Sequence, residues 1–541
     1  MMPALIGRWT LPRTIPMPTA GRLPDSSASR SLFRDRIRGP VLYALGPGAA
    51  FLTVVLVAAY ALWYTSSGRF PEFPAIQNDY VDLGRAFLHG QLSLLESPHP
   101  ALAGLGNPYE YSQRKDIPYH WDASYYDGQY FLYWGPVPAL ISAAIEAIVG
   151  TPPPASILVV IPYLGLMAVA TALLFHLGHA FGAGPRATVW LFILIGFFNL
   201  PMLFTIGQPR HYQASIMFGQ FFLMGGLLAF VLYARARRPS WLAASGIAWG
   251  LAFASRYNLA ISIAVYLLLT ALWLWRDRSS DSFLVRLGLL AAPLALCLLG
   301  LGLYNVARFG NPLETGMTYQ LTIPEFRQVS YSAAYIPSGL YSYLLYPLTP
   351  SDVFPFIQSA HFRPALLPES IFVPPGREFD QIVFGLLRTV PVVWLGLIAI
   401  PLLFALLPRG SPRKTQPSSG VSPGFVFWML ALGAAGQFLY LLVFFYVAER
   451  YIVDFYGPVV LCLAIVVWRA HTALQGSGVL QTALWLLVTA LTLWTAAIGY
   501  FACFGVPVLV SIYYDPQMVA NLAAFWNTLA AVLRLTSPGG S

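Results

Sequence analysis

The sequence predicts an all-α polytopic membrane protein: a bundle of about eleven transmembrane helices with a large extracytoplasmic first loop that bears juxtamembrane helices. Three observations carry this reading. The 541 residues are 57% hydrophobic and only 10% charged, with a mean hydropathy of +0.63, which is too apolar for a soluble globular protein. Apolar stretches near the ~20 residues needed to cross a bilayer core recur along the chain. Short Arg clusters fall beside them, where the positive-inside rule expects basic residues.

Taken in order, residues 1–40 are rich in Arg, Pro and Ser and lack the apolar core of a cleaved signal peptide, so they read as a disordered basic cytoplasmic tail. The expected spans are 41–64, 156–177, 187–206, 213–233, 240–254, 257–275, 284–308, 383–407, 423–446, 455–470 and 479–502. With the tail inside, the first span delivers residues 65–134 to the outer face. Arg186, the run Arg235, Arg237 and Arg238, the pair Arg276 and Arg278, the group Arg409, Arg413 and Lys414, and Arg469 then belong to inner loops. That count leaves no crossing for the apolar stretch 135–149. It is short, begins with Pro136 and Pro138 and carries Glu146, so a helix lying at the outer interface is expected.

The resulting organisation is a transmembrane module at 41–308 that includes the outer loop 65–155, a second outer loop at 309–382, further transmembrane helices at 383–502, and an outer C-terminal segment from 503 with a helical pattern near "VANLAAFWNTLAAVL". Residues 408–422 read as a flexible inner linker. Cys297, Cys462 and Cys503 each sit in an apolar stretch, which fits buried small side chains and supports neither a disulfide framework nor a thiol metal site. The formal net charge of +9 is accounted for by topology, so no nucleic-acid partner is expected.

Chemistry concentrates in the first outer loop. Ile76, Tyr80, Leu83 and Phe87 recur at helical spacing, predicting a short helix on the membrane surface with Asp79 and Asp82 on one face. A carboxylate held there can accept a proton from an attacking hydroxyl. The same pair could instead ligate a divalent cation, an incomplete site without a substrate phosphate, or form a solvated polar face. Further on, in "WDASYYDGQYFLYWGP", Asp127-Gly128 between aromatic runs signals a two-residue hairpin turn. Asp122 lies outside that turn and is a candidate for metal or acceptor binding. Arg210 and His211, Arg256 and Arg450 fall at outer ends of spans, as phosphate-binding or merely snorkelling cations. Arg114, Lys115 and Asp116 read as a solvated turn, and Glu325, Arg327 and Asp352 as weaker candidates in the second outer loop.

The stretch "NDYVDLGRAFLHG" after the first span, the Pro-led "YWGPVPALISAAIEAIVG", the Gly-rich "GIAWGLAFASRYNLAI" and the late "ERYIVDFYGPVVL" together resemble the C-type membrane glycosyltransferases (GT-C), over roughly residues 41–310 and more loosely over the rest. The resemblance implies transfer of a sugar from a polyprenyl-phosphate donor to a glycan, lipid or protein acceptor at the outer face of a bacterial plasma membrane. Asp79 matches the family's acidic position and Asp82 is its close rival. A lipid-linked sugar transporter or flippase would place ionisable groups at the membrane midplane, and an O-antigen ligase or polymerase would place its informative loop late. Both stay open as alternatives, although the acidic loop directly after the first span and the nearly charge-free spans argue against them.

Overall fold

A computed structural model describes residues 26–277, 282–322, 330–359, 366–380, 382–396, 420–505 and 515–533. The chain is a largely helical polytopic membrane protein. Among the described residues eight helices are long and apolar enough to cross a membrane: Gly46–Thr65, Ile157–Gly178, His211–Ala236, Tyr257–Arg276, Phe283–Phe309, Pro423–Val443, Glu449–Ala473 and Gly478–Ala502. A bent pair, Val189–Phe197 and Leu200–Ile206, makes a ninth when counted as one span.

Eleven spans were expected, and the difference has two sources. Residues 397–407 of the expected span 383–407 lie outside the described residues, as do residues 1–25 and most of the linker 408–422, including Arg409, Arg413 and Lys414. The stretch 240–254 forms a helix, Pro239–Ser255, of only 17 residues. Its Gly, Ala and Ser content suits close packing. Bonds from Ser215 to the Ser255 carbonyl (2.7 Å), from Trp249 to the Leu223 carbonyl (3.1 Å) and from Ser245 to the Gly226 carbonyl (3.0 Å) lay it antiparallel along His211–Ala236. On its other side Gly246 meets the Leu290 carbonyl and Gly250 meets Cys297, so the neighbouring span Phe283–Phe309 approaches backbone to backbone. The break at residues 198–199 in the 187–206 stretch follows from Asn199, which leaves the helix and caps the next one at Met202 N–H.

Three helices that position the site are labelled here: α1, Ser26–Thr65; α2, Asp79–Leu88; and α3, Val137–Val149. Helical backbone thus begins at Ser26, inside the stretch expected to be a disordered tail to residue 40. The outer loop contains both expected juxtamembrane helices. Gly150, at φ 83°, ends α3 after 13 residues, about 20 Å of helix against a core of about 30 Å. Helices α2 and α3 touch where Gly84 lies flush on Ala139 and Ser142. Just before α3, Gly135 rests against the Ala254 carbonyl, leaving no room for a side chain.

The aromatic stretch forms an antiparallel hairpin, β1 (Ser124–Tyr126) with β2 (Gln129–Phe131), in register Tyr125↔Tyr130. Asp127 and Gly128 turn it at φ 47° and 70°, as a two-residue turn with both φ positive requires. Bridging of Ser124 to Gln320 joins the hairpin to the second outer loop. Arg114 overturns its reading as a solvated turn: it is fully buried and donates to the carbonyls of Tyr109 (2.7 Å) and Thr322, fastening the two outer loops together.

Charge separates to two poles. At one, Arg235 bonds His176 (2.7 Å), Arg237 and Arg286 pair with Asp277, and Gly420 approaches Arg235. These inner-loop expectations do share an end of the bundle. The other pole gathers the candidate residues of the outer loops.

Candidate functional site

Asp79 is the first residue of α2. The Asn78 side chain caps that helix, accepting from Tyr80 N–H (2.9 Å), while its amide donates to the Pro209 carbonyl (2.8 Å). This second bond ties the start of α2 to the residues just before the span His211–Ala236, and so brings His211 to Asp79. His211 Nδ1 lies 2.9 Å from Asp79 Oδ2, and His120 Nε2 lies 3.3 Å from Oδ1. His120 Nδ1 in turn lies 2.7 Å from Glu96 Oε2. The chain Glu96, His120, Asp79, His211 runs from a half-exposed carboxylate to a buried imidazole.

An ionised carboxylate only accepts hydrogen bonds, so every imidazole nitrogen that faces one carries a proton. Burial pushes the Asp79 carboxyl up, but the His211 and His120 rings outweigh it and hold the group well below the usual carboxylate range. Burial pulls His120 down, and the Asp79 and Glu96 carboxylates overcome it, raising the ring to about 9. The helix N-terminus adds its partial positive charge to the anion's stabilisation.

Asp122 is buried two residues beyond His120, in the left-handed region at φ 65°, which Asp tolerates better than most residues. Burial pushes its carboxyl up to about 6 against the opposing pull of His211 and Arg450. Arg450 pairs with Asp380 and, at 3.7 Å, with Glu449. Its guanidinium lies over Tyr212 (4.7 Å) and Tyr451 (5.4 Å). Arg256 grips Asp454 through two bonds of 2.7 and 2.6 Å, Asn258 adds a third to that carboxylate at 2.9 Å, and its guanidinium also faces Tyr451 at 5.4 Å. Tyr451 therefore lies between two cations.

Beside this layer opens a cavity of about 180 Å³ lined by Tyr133, Trp134, Arg256, Asn258, Tyr440 and Tyr451, among others. Trp134 connects it to the acid cluster, its ring 4.4 Å from that of His211. A pocket with aromatic walls and a few convergent polar groups suits a sugar-sized ligand.

Of the residues singled out in the sequence, Asp79, Asp122, His211 and Arg450 are brought into one electrostatic cluster, with Arg256 one aromatic layer away. Asp82 lies on α2, half-buried, its carboxyl raised by burial and by Asp79. Arg210 is exposed at the N-cap position of its span. Asp352 is exposed, and Glu325 and Arg327 lie outside the described residues. Arg256 and Arg450 already hold carboxylate partners, so a phosphate would have to compete for them. Among the described residues no three His, Cys, Asp or Glu side chains are placed to hold a metal ion. Both Asp79 oxygens are engaged by imidazoles, so Asp79 and Asp82 do not preform a divalent-cation site.

His120, Glu96 and Asp380 escaped the sequence reading. Their partners lie between 24 and 70 residues away, and no local pattern announces such pairings. The one available signal was His120 standing directly before the acidic aromatic run.

No protein-family model matches the chain, and no curated protein matches it. Among solved structures it is similar to the Archaeoglobus fulgidus oligosaccharyltransferase in the apo form, at 13% identity and a TM-score of 0.41, over 86% of this chain and 56% of that one. It is also similar to the archaeal oligosaccharyltransferase AglB from the same organism in complex with an inhibitory peptide and a dolichol-phosphate, at 13% identity and a TM-score of 0.38, over 84% and 56%. The complex of the first with Zn and sulfate matches at 13% identity and a TM-score of 0.39, over 83% and 53%. The chain spans just over half the length of these structures. They come from an archaeon, so the bacterial setting implied by the sequence resemblance finds no support in them.

Proposed function

We propose that the protein is a GT-C-type glycosyltransferase that moves a sugar from a polyprenyl-phosphate donor to an acceptor hydroxyl at the outer face of the membrane. The observation that carries the proposal is the buried, anionic Asp79 held between two imidazoles beside an aromatic, Arg-lined cavity at the outer pole of the bundle. Transfer needs a group that takes the acceptor's proton as the new bond forms, and cations that stabilise the departing phosphate. The Asp79 cluster supplies the first, with Asp79 as the residue on which base function depends. Arg256 and Arg450 are the nearest candidates for the second, their charge becoming available to phosphate if Asp454 and Asp380 share it. Asp122, with a carboxyl near 6, would bind the acceptor as a hydrogen-bond donor or acceptor according to pH.

The test is transfer from radiolabelled polyprenyl-phosphate-glucose, -mannose and -arabinose in membranes that contain the protein. The wild type should label an endogenous glycan, lipid or protein with at least one donor. Asp79→Asn should lower transfer by 10²-fold or more, the scale of a lost acid–base contribution, with expression and donor binding retained. Full activity in that variant would remove Asp79 from the mechanism.

A further inference from the structure

The two histidines on Asp79 look equivalent in sequence but are chemically different in place. His120 faces carboxylates through both nitrogens, Asp79 at Nε2 and Glu96 at Nδ1. Both nitrogens therefore carry protons, and the ring is an imidazolium with no lone pair to offer. His211 faces a carboxylate only through Nδ1, while its Nε2 is buried with no hydrogen-bond partner. The Nδ1–H donates to Asp79 Oδ2, which fixes the tautomer and leaves the lone pair on Nε2. A carboxylate that holds one imidazole nitrogen so that the other can act as a base is the division of labour of an Asp–His dyad.

Resting on the reading of the site as a glycosyl-transfer centre, we infer that His211 Nε2 is the atom that takes the acceptor's proton and that Asp79 is a positioning residue for it. Asp79 is poorly suited to take the proton itself. Both of its oxygens already accept hydrogen bonds from imidazole N–H groups. The electrons and atoms balance in one displacement. The acceptor oxygen forms a bond to the anomeric carbon, the bond from that carbon to the phosphate oxygen breaks with its electron pair leaving on the polyprenyl phosphate, and the hydroxyl proton passes to His211 Nε2. The anomeric centre inverts.

The surroundings of His211 fit this role. Its ring is held between Trp134 (4.4 Å) and Tyr212 (4.0 Å). Trp134 is shared with the 180 Å³ cavity. Nε2 is shielded from solvent in this conformation, so an acceptor reaches it when one of the flanking rings turns aside. The charged and titratable groups around it are Asp79 on α2, His120 and Asp122 in the outer loop, and Arg450 in the first turn of the span Glu449–Ala473. Of these, Asp79 is the one in direct contact with the ring, at 2.9 Å.

The experiment compares the wild type with His211→Gln, His211→Ala, Asp79→Asn and the double variant His211→Gln/Asp79→Asn, using the same radiolabelled donors. If His211 is the base, His211→Gln loses 10²-fold or more and Asp79→Asn retains a measurable residue. The double variant is then no worse than His211→Gln, and added imidazole restores part of the activity of His211→Ala. That rescue separates lost chemistry from lost folding, because a misfolded protein does not respond to imidazole. Near-wild-type transfer by His211→Gln overturns the inference while leaving the glycosyl-transfer reading in place, as does a null Asp79→Asn together with an active His211→Ala. Absence of transfer by the wild type from every donor overturns the glycosyl-transfer reading, and this inference with it.

Discussion

At the residue scale, the cluster around Asp79 is an arrangement of opposite charges out of water, and its stability follows the protonation of its members. The ordinary imidazole value is 6.5, and His120 is raised from it to about 9 by Asp79 and Glu96. A group whose value is raised on folding binds its proton more tightly in the folded state. Its contribution is therefore complete below the unfolded value and is lost as pH rises through the folded one. His120→Gln should lower thermal stability in detergent most below about pH 6.5, by on the order of 3 kcal/mol from that shift. The gap to the wild type should close as pH passes about 9, and a gap that stayed constant with pH would mean that His120 is a spacer rather than an imidazolium. Legibility at this scale was uneven for a physical reason. Asp79 and the Asp127-Gly128 turn announce themselves through local spacing, because a helix N-terminus and a hairpin are local structures. Arg114 was misread because nothing nearby in sequence reveals that carbonyls of Tyr109 and Thr322 close around it.

At the scale of elements, the geometry of the site depends on how α2 lies on α3. The contact is set by Gly84, where an added Cβ would come within 2.9 Å of the Ala139 carbonyl and of Ser142 Cβ. Asp79 lies in the first turn of the same helix, so any tilt of α2 changes its reach to His120 and His211. Gly84→Val should therefore cost about 1–3 kcal/mol through overpacking. It should also reduce transfer by at least tenfold, because misplacing a reacting group by about an ångström is expensive. Parallel measurements of melting temperature and of transfer decide the matter, and a variant as active as the wild type would show that the loop, not α2, holds Asp79. Helices α2 and α3 were both legible in the sequence, since amphipathic spacing and proline placement are enough to define them as helices. The helix Pro239–Ser255 was legible in the sequence as a short helix at 240–254, but its packing partners were not. The same small residues that lower its hydropathy admit Trp249 against Gly226 and the backbone of Leu290 against Gly246.

At the scale of the whole molecule, the placement of α3 determines which face of the membrane every later loop occupies. Charge alone led to that conclusion: a crossing at 135–149 would invert all subsequent basic clusters. The fold agrees in kind, since Arg235, His176, Arg237, Asp277 and Arg286 gather at one pole while Asp79, His211, Arg256 and Arg450 gather at the other. Span counting was less successful than span finding, because the count depends on how long and how straight each apolar helix is, and those properties arise from packing. The decisive residue is Thr151, exposed just beyond the left-handed Gly150 that ends α3. If α3 lies on the surface, Thr151 shares the outer face with Asp79. In intact cells Thr151→Cys should then react with a membrane-impermeant maleimide, above the background of Cys297, Cys462 and Cys503, without permeabilisation. Reaction only after permeabilisation would place α3 across the bilayer, and with it Asp79 and His211 on opposite sides of the membrane. The 2.9 Å contact between them forbids that arrangement, so one labelling experiment tests the topology and the construction of the site together.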